Sequence, residues 1–363
     1  MSMKKNKRRD FLKSIGISFA GGSFFAINSG HTKEKTEFKW KMVTSWPKNF
    51  PGLGVGAENL AKIINQLSNN RIKIKVFGAN ELVPPLEVFD YVSGGGAELG
   101  HSGAYYWKGK SQACQFFSSV PFGMNAQEMN AWLYYGNGLT LWEKLYTQFN
   151  LIPRPAGNTG VQMGGWFNKE IKSPNDLKGL KMRIPGLGGE VLSRAGGVPV
   201  TLPGTELFTA LQTGAIDATE WVGPYNDRAF GLHKAAKYYY YPGWHEPGPT
   251  LECIINKNVY EQLPSDLKFI IDISCKAANI DMLADYTSKN NQALQFLISE
   301  GIKINEFPKD VMKFLKKISE EVVEEIGNTD PITKEVFISY KNFQKQVAPW
   351  TKLSEKSYID FRE

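Results

Sequence analysis

The first third of the chain switches its hydrophobic period in a fixed order. Ile72-Lys73-Ile74-Lys75-Val76-Phe77 alternates apolar and polar residues, the period of a half-buried strand. Phe38-Lys39-Trp40-Lys41-Met42-Val43-Thr44 alternates in the same way and is ended by Ser45-Trp46-Pro47. Between them, Gly52 to Ser68 carries Leu60, Ile63, Ile64 and Leu67 at helical spacing. Val83-Pro84-Pro85 breaks the chain before a helix from Leu86 to Val92, and Ala97-Glu98-Leu99-Gly100-His101 reads as a third strand. This β-α-β-α-β order predicts a parallel sheet wrapped by helices.

The second half repeats the plan. Gly160 to Phe167 is strand-like, with glycines that permit close backbone approach. Ser173-Pro174-Asn175-Asp176-Leu177 starts a short helical turn, and Leu180 to Pro185 is a strand with Arg183 next to its end. A helix from Gly188 to Ala195, a strand Val198-Pro199-Val200 and a helix Glu206 to Gln212 come next, the last stopped by Gly214. Ala215-Ile216-Asp217-Ala218 reads as a short buried strand, and Tyr238 to Gly248 as a stiff aromatic segment dense in turns. Ala126 to Phe149 is helical, broken at Gly136-Asn137-Gly138. Residues 265–301 form one helical stretch with Ser265 as its N-cap, too long for an ordinary globular helix. It is expected to bridge two domains or to pack on a second subunit. Two more helices, Lys309 to Glu325 and Lys334 to Asp360, end the chain. The expected segments are 1–30, a first α/β lobe over 38–157, a second over 158–250, and lobe-bridging and C-terminal helices over 251–363.

The formal charge of +7 misleads about partners. Lys4, Lys5, Lys7, Arg8, Arg9 and Lys13 against Asp10 put +5 into residues 1–30, which leaves +2 of the +7 for all the rest. No concentrated basic face remains for nucleic acid. Arg8-Arg9-Asp10-Phe11-Leu12-Lys13 matches the twin-arginine export signature. The weakly apolar run from Ile15 to Ile27 is short for a membrane span, which needs about 20 apolar residues. Residues 1–30 therefore read as a signal peptide, with work in the periplasm. Cys114, Cys253 and Cys275 show no metal spacing and read as buried free thiols.

Chemistry concentrates around Asp217-Ala218-Thr219-Glu220-Trp221-Val222-Gly223-Pro224-Tyr225. Glu220 and Trp221 sit where a strand ends, which in an open α/β sheet lines the ligand crevice. Arg183 is the best anion anchor, because its planar fork grips a carboxylate through two charge-assisted bonds. Glu220 and Glu246, with Gln162, offer oxygens to a hard cation such as Ca²⁺ or Na⁺, and a carboxylate substrate completes that shell. A pair of catalytic carboxylates, as in an exported hydrolase, is the rival. His101 and His245 adjoin cleft segments and read as satisfied structural histidines. No nucleophile elbow, zinc-protease, P-loop or dinucleotide motif is present. Tyr105, Tyr106 and Trp107 follow the third strand and either line a cleft or pack as core.

Several long motifs carry a resemblance. They are Met42-Val43-Thr44-Ser45-Trp46-Pro47, Val120-Pro121-Phe122-Gly123-Met124, Gln162 to Ile171, Leu177 to Ile184, Ile216 to Pro224 and Tyr239 to Gly248. In these the chain resembles the DctP-type substrate-binding receptors of TRAP transporters, in particular the 2-oxoacid-binding, TakP-like branch. The resemblance implies an α/β, two-lobed periplasmic-binding-protein fold with long C-terminal helices and no enzymatic activity. It implies that Arg183 binds the carboxylate of a pyruvate- or lactate-like 2-oxoacid or 2-hydroxyacid. Gln162, Glu220, Glu246 and the carbonyl of Trp221 would hold the cation, and Tyr105, Tyr106 and Asn158 would line the cavity. Partners would be the small and large integral membrane subunits of the transporter and a second copy, met through the long helix. Thr219 departs from the small residue expected there. A receptor of the same fold for a C4-dicarboxylate or a sugar acid remains the alternative.

Overall fold

A computed structural model of the chain describes residues 38–362, so the signal segment expected over 1–30 lies outside the described residues. Eleven strands among these residues form two mixed sheets. In the first, β1 (Phe38–Thr44) pairs in parallel with β2 (Ile72–Phe77) and with β3 (Leu99–Ser102). The alternation of β2 is borne out: Ile72, Ile74 and Val76 are buried, Lys73 and Lys75 exposed. The predicted parallel sheet is extended by two strands that periodicity does not reveal. β4 (Leu151–Asn158) forms the far edge, where Pro153 and Pro155 can lack ladder donors.

The second sheet has the order β11-β9-β5-β8-β6-β7. Its members are β5 (Gly165–Phe167), β6 (Lys181–Arg183), β7 (Val198–Val200), β8 (Ala218–Thr219), β9 (Tyr238–Tyr241) and β11 (Lys303–Glu306). The first sheet is completed by β10 (Thr250–Asn256), antiparallel to both β3 and β4. All seven residues of β10 are buried, so it shows no alternation. The strand expected over 160–167 is paired only from Gly165, and the aromatic stretch expected to be dense in turns begins as strand β9. Each sheet thus draws strands from more than one of the expected segments. The chain passes directly between sheets along 159–164, from β4 to β5, and along 242–249, from β9 to β10, and a third time through helices over 257–302, from β10 to β11.

The long helix is Ser265–Ser299, with Pro264 rather than Ser265 at its N-cap. It packs on β4 and Leu53–Leu67 on one side and on Pro224–Ala229 on the other, so it bridges the two sheets' layers. Ile271, Met282, Tyr286 and Leu297 are among its buried residues. Helices Lys309–Gly327 and Pro331–Thr351 come next, then a π-helical turn Lys352–Lys356 and a helix Ser357–Arg362. The hydrophobic cores flank the sheets. One of them joins the layers, packing Trp46, Phe50 and Leu53 with Trp166, Trp221 and Tyr286. The three cysteines are buried and free, as expected. No described helix is long and apolar enough to cross a membrane.

Candidate functional site

Strand pairing brings Arg183 and Glu220 together. β6 and β8 run in parallel, and past their ends the Glu220 N–H still donates to the Arg183 carbonyl at 3.2 Å. Both side chains point into the space between the sheets, at 1% and 0% exposure. Arg183 Nη1 donates to Glu220 Oε1, Nη2 to the Tyr106 hydroxyl at 3.0 Å, and Nε to the Leu202 carbonyl at 3.0 Å. The guanidinium also lies 5.0 Å from the Trp221 ring. Burial of a charge is tolerated here because it is paired and hydrogen-bonded.

Backbone contacts fix the turn after Glu220. Val222 and Gly223 donate their N–H groups to Asp227 Oδ1 at 3.3 and 3.2 Å. Asp227 Oδ2 accepts from Trp166 Nε1 at 2.9 Å and from the Tyr239 hydroxyl at 2.7 Å. Burial pushes the Asp227 carboxyl up to about 7, against these hydrogen bonds.

Gln162 and Glu246 arrive on the two inter-sheet connections, which are laced to each other. Gln162 N–H donates to the Glu246 carbonyl at 3.2 Å, and Gly243 N–H to the Gln162 carbonyl at 2.8 Å. The approach needs glycine, because a Cβ on Gly243 would stand 2.4 Å from the Gln162 carbonyl oxygen. Burial, and then the nearby Glu220, push the Glu246 carboxyl well above the usual carboxylate range, while Arg183 and Gln162 oppose them.

The other layer closes over this cluster. Tyr105 and Tyr106 stack edge to face with centroids 4.6 Å apart, and Trp46 meets Trp221 at 6.1 Å. Burial raises the Tyr105 hydroxyl, with Tyr106 and Glu246 next in effect. Six buried polar atoms of the cluster have no hydrogen-bond partner: Gln162 Oε1, Glu220 Oε2, Glu246 Oε2, Trp221 Nε1 and both ring nitrogens of His245. Leaving such atoms unpaired costs roughly 1–3 kcal/mol each, so the cluster is built for something that pairs them. Glu220, His245 and Glu246 each offer a ligand atom, all within 4.8 Å of one another, and together could hold a metal ion. Three of the unpaired atoms are oxygens, the donor type of a hard cation.

The structure therefore brings Arg183, Gln162, Glu220, Trp221, Glu246, Tyr105 and Tyr106 to one place. Asn158 is near in sequence but committed. Its Nδ2 donates to the Gly248 carbonyl at 3.1 Å, and its Oδ1 accepts from Gly160 N–H at 2.9 Å. It ties the two connections together. His101 is the satisfied histidine expected of it: Trp46 Nε1 donates to its Nδ1 at 2.8 Å, and its Nε2 lies 3.2 Å from the Ala156 carbonyl. His245 is not. It is 1% exposed, and its Nε2 stands 3.5 Å from Glu220 Oε2 in poor hydrogen-bond geometry. Its one signal in the sequence is its position, a single residue before Glu246. Asp227 carries no signal at all, since nothing in Tyr225-Asn226-Asp227-Arg228 marks it as buried.

The DctP family model, bacterial extracellular solute-binding proteins of family 7, matches residues 42–330. A monocarboxylate 2-oxoacid-binding periplasmic protein of a Nostoc species is 47% identical over 359 residues, 98% of each chain. A TRAP transporter solute binding protein of Bordetella bronchiseptica is 39% identical, with a TM-score of 0.89 over 90% of this chain and 98% of that one. It is described as a mixed-occupancy dimer with copurified calcium and picolinate in one active site and an apo second site. A TRAP periplasmic solute binding protein of Pseudoalteromonas atlantica, 43% identical with a TM-score of 0.87 over 89% and 99% of the two chains, holds sodium and pyruvate.

Proposed function

The chain belongs to the DctP family of bacterial extracellular solute-binding proteins, and we propose that it captures a short 2-oxoacid or 2-hydroxyacid together with Ca²⁺ or Na⁺. It is a substrate-binding receptor of a TRAP transporter and not an enzyme, which displaces the reading of Glu220 and Glu246 as hydrolytic carboxylates. The observation that carries the ligand is the set of unpaired oxygens on Gln162, Glu220 and Glu246 beside the Arg183 fork. Gln162, Glu220, Glu246 and the Trp221 carbonyl would hold the cation. Bound there, it supplies positive charge that both the protein carboxylates and the solute carboxylate can share.

The pairing of Arg183 with Glu220 suggests an exchange of partners. A cation would take over that carboxylate and release the guanidinium fork for the solute. Tyr106, already bonded to Arg183, keeps the fork oriented, and Tyr105 and Trp46 exclude water from the opposite side. Arg183 is the buried guanidinium that meets Tyr106, Trp221 and Glu220, and a single guanidinium favours one solute carboxylate over two. Asn158 acts by position, holding together the connections that carry Gln162 and Glu246.

The test is thermal stabilisation of the ligand-stripped chain by pyruvate, lactate, C4-dicarboxylates and sugar acids, each with Ca²⁺, Na⁺ or chelator. A ligand present at about 100 times its Kd adds roughly 2.7 kcal/mol to the native state. Cation-dependent stabilisation by pyruvate or lactate is expected. A response to dicarboxylates alone keeps the receptor and replaces the solute, and an undiminished response in chelator removes the cation.

Export by the twin-arginine route rests on Arg8-Arg9. Delivery would be to the small and large integral membrane subunits. A homodimer is favoured by the exposed apolar face at the end of the chain. Trp350, Leu353, Tyr358 and Phe361 are all exposed, on the last helical turns on either side of and within the π turn between Lys352 and Lys356. A second copy of the long helix region, where Phe269, Ile273 and Ile280 are exposed, would cover it. Removal of residues 350–363 should convert the dimer to a monomer in light scattering with solute affinity kept. An unchanged mass would refute this assignment.

A further inference from the structure

Hard cations such as Na⁺ and Ca²⁺ take oxygen ligands and have no use for a ring nitrogen. Yet the cluster buries an imidazole whose two nitrogens both lack a hydrogen bond, beside two carboxylates that each carry one unpaired oxygen. We propose that Glu220, His245 and Glu246 form a site for a borderline divalent transition metal, with Zn²⁺ as the type case. The ion would compete with the hard cation, and so with the solute.

The donor set fits this class of metal. Imidazole nitrogen and carboxylate oxygen are both donor types of Zn²⁺, and three protein groups around a tetrahedral ion leave one position open. N/O sites bind such ions more tightly than they bind the early first-row ions, so geometry and metal availability set which ion enters. The three donor atoms lie within 4.8 Å of one another, and the residues are all 3% exposed or less. Charge fits as well. Arg183 already holds Glu220 Oε1, so Oε2 is the oxygen left to a metal, and one net negative charge remains when Glu246 is ionised. The position of His245 is also fixed. Its Cβ would stand 2.9 Å from a Cβ on Gly188, so only glycine at 188 lets the ring sit beside Glu220. The hydroxyls of Tyr105 and Tyr106 and the amide of Gln162 face the same cluster and offer oxygen, not a competing positive charge.

The experiment uses the full mature chain, stripped of metal and solute. Zn²⁺ is titrated by calorimetry, and Co²⁺ serves as its coloured substitute. Binding of one ion per chain is expected. The visible Co²⁺ spectrum should be the intense one of low coordination with a nitrogen ligand, and it should be bleached by Ca²⁺ plus pyruvate. Changing even an outer partner of a metal ligand costs about 10–100-fold in affinity, so His245→Gln should weaken Zn²⁺ by at least roughly tenfold. A Zn²⁺ affinity in His245→Gln within about twofold of the native chain overturns the proposal, as does the absence of Zn²⁺ binding to the native chain. If that variant does not fold, nitrogen-15 spectra of the native histidines decide. Zn²⁺ should move the ring signals of His245 and leave those of His101, which Trp46 and Ala156 already hold. The inference stands apart from the solute assignment: Zn²⁺ bound through His245 without any response to Ca²⁺ and pyruvate would keep the one and remove the other.

Discussion

Arg183 and Glu246 should differ in what they contribute to the ligand-free protein, although the proposed solute complex uses both. Arg183→Met strips the guanidinium from Glu220, a carboxylate at 0% exposure. Removing one partner of a buried pair costs roughly 3–5 kcal/mol, because a charge is left without compensation. The lost bonds to Leu202 and Tyr106 add to that cost. At about 2 °C per kcal/mol for a chain of this size, the melting temperature should fall on the order of 5–10 °C. Glu246→Gln is the contrasting case. Burial and Glu220 already favour the protonated Glu246 carboxyl, and an amide has nearly that shape without the charge. The expected cost is under about 1.5 kcal/mol, the range of isosteric replacements in a packed interior. Calorimetric melting at neutral pH in chelator measures both, and a second scan with Ca²⁺ and pyruvate should find the stabilisation gone in each variant. If Glu246→Gln falls as far as Arg183→Met, or if Arg183→Met melts like the native chain, the electrostatic account of the cluster is wrong.

Three other perturbations test neighbouring parts of the structure. Burial pushes Glu252 up to about 7 from 4.5, although Trp107 and Tyr146 donate to it at 2.5 and 2.8 Å. The folded state therefore holds a proton that the unfolded state has lost, so this contribution is complete below about pH 4.5 and declines as pH rises through about 7, by roughly 3 kcal/mol; urea melts from pH 5 to about 8 should show a decline that Glu252→Gln flattens. Gly243→Ala puts a methyl 2.4 Å from the Gln162 carbonyl oxygen and should lower solute affinity at least tenfold by calorimetry, whereas full affinity would mean that the two connections need not touch. Asp227→Ala frees the N–H groups of Val222 and Gly223, leaves Trp166 and Tyr239 without their acceptor, and should destabilise the chain by about 3 kcal/mol in denaturant melts while also weakening the cation response.

The sequence disclosed elements wherever periodicity was clean. Ile72 to Phe77 alternates because one face of β2 is wet, and residues 265–299 read as one helix because neither glycine nor proline interrupts them. It hid elements whose surroundings are uniform or whose residues argue against pairing. β10 is buried on both faces, so Leu251, Cys253 and Ile255 are as buried as Glu252 and Ile254. β4 carries two prolines, which only its edge position tolerates. The site was legible in a different way. Arg183 and Glu220 emerge from strand ends, but nothing in spacing brings Gln162 to Glu246 across 84 positions. Only their chemistry, oxygen donors for one hard cation, joins them in the sequence, and the resemblance of whole motifs supports that. His245 escaped because a buried histidine is usually satisfied, and only coordinates show that this one is not.

Gln162 lies on the 159–164 connection, and His245 and Glu246 lie on the 242–249 connection. These are the two stretches of chain that cross directly from strand to strand between the sheets, and any opening of the lobes must bend them. Arg183 and Glu220 ride on the second sheet and Tyr105 and Tyr106 on the first. The parts that would grip a solute thus sit on the two sheets, while much of what would grip a cation sits on the crossings, which would be the axle of any such opening. An ion seated between the crossings would act as a wedge in the bending axis, stiffening it directly rather than through the solute. Loss of the ion would then loosen the hinge and the grip in one event, so a receptor built this way can time its release by the cation even when the solute is plentiful.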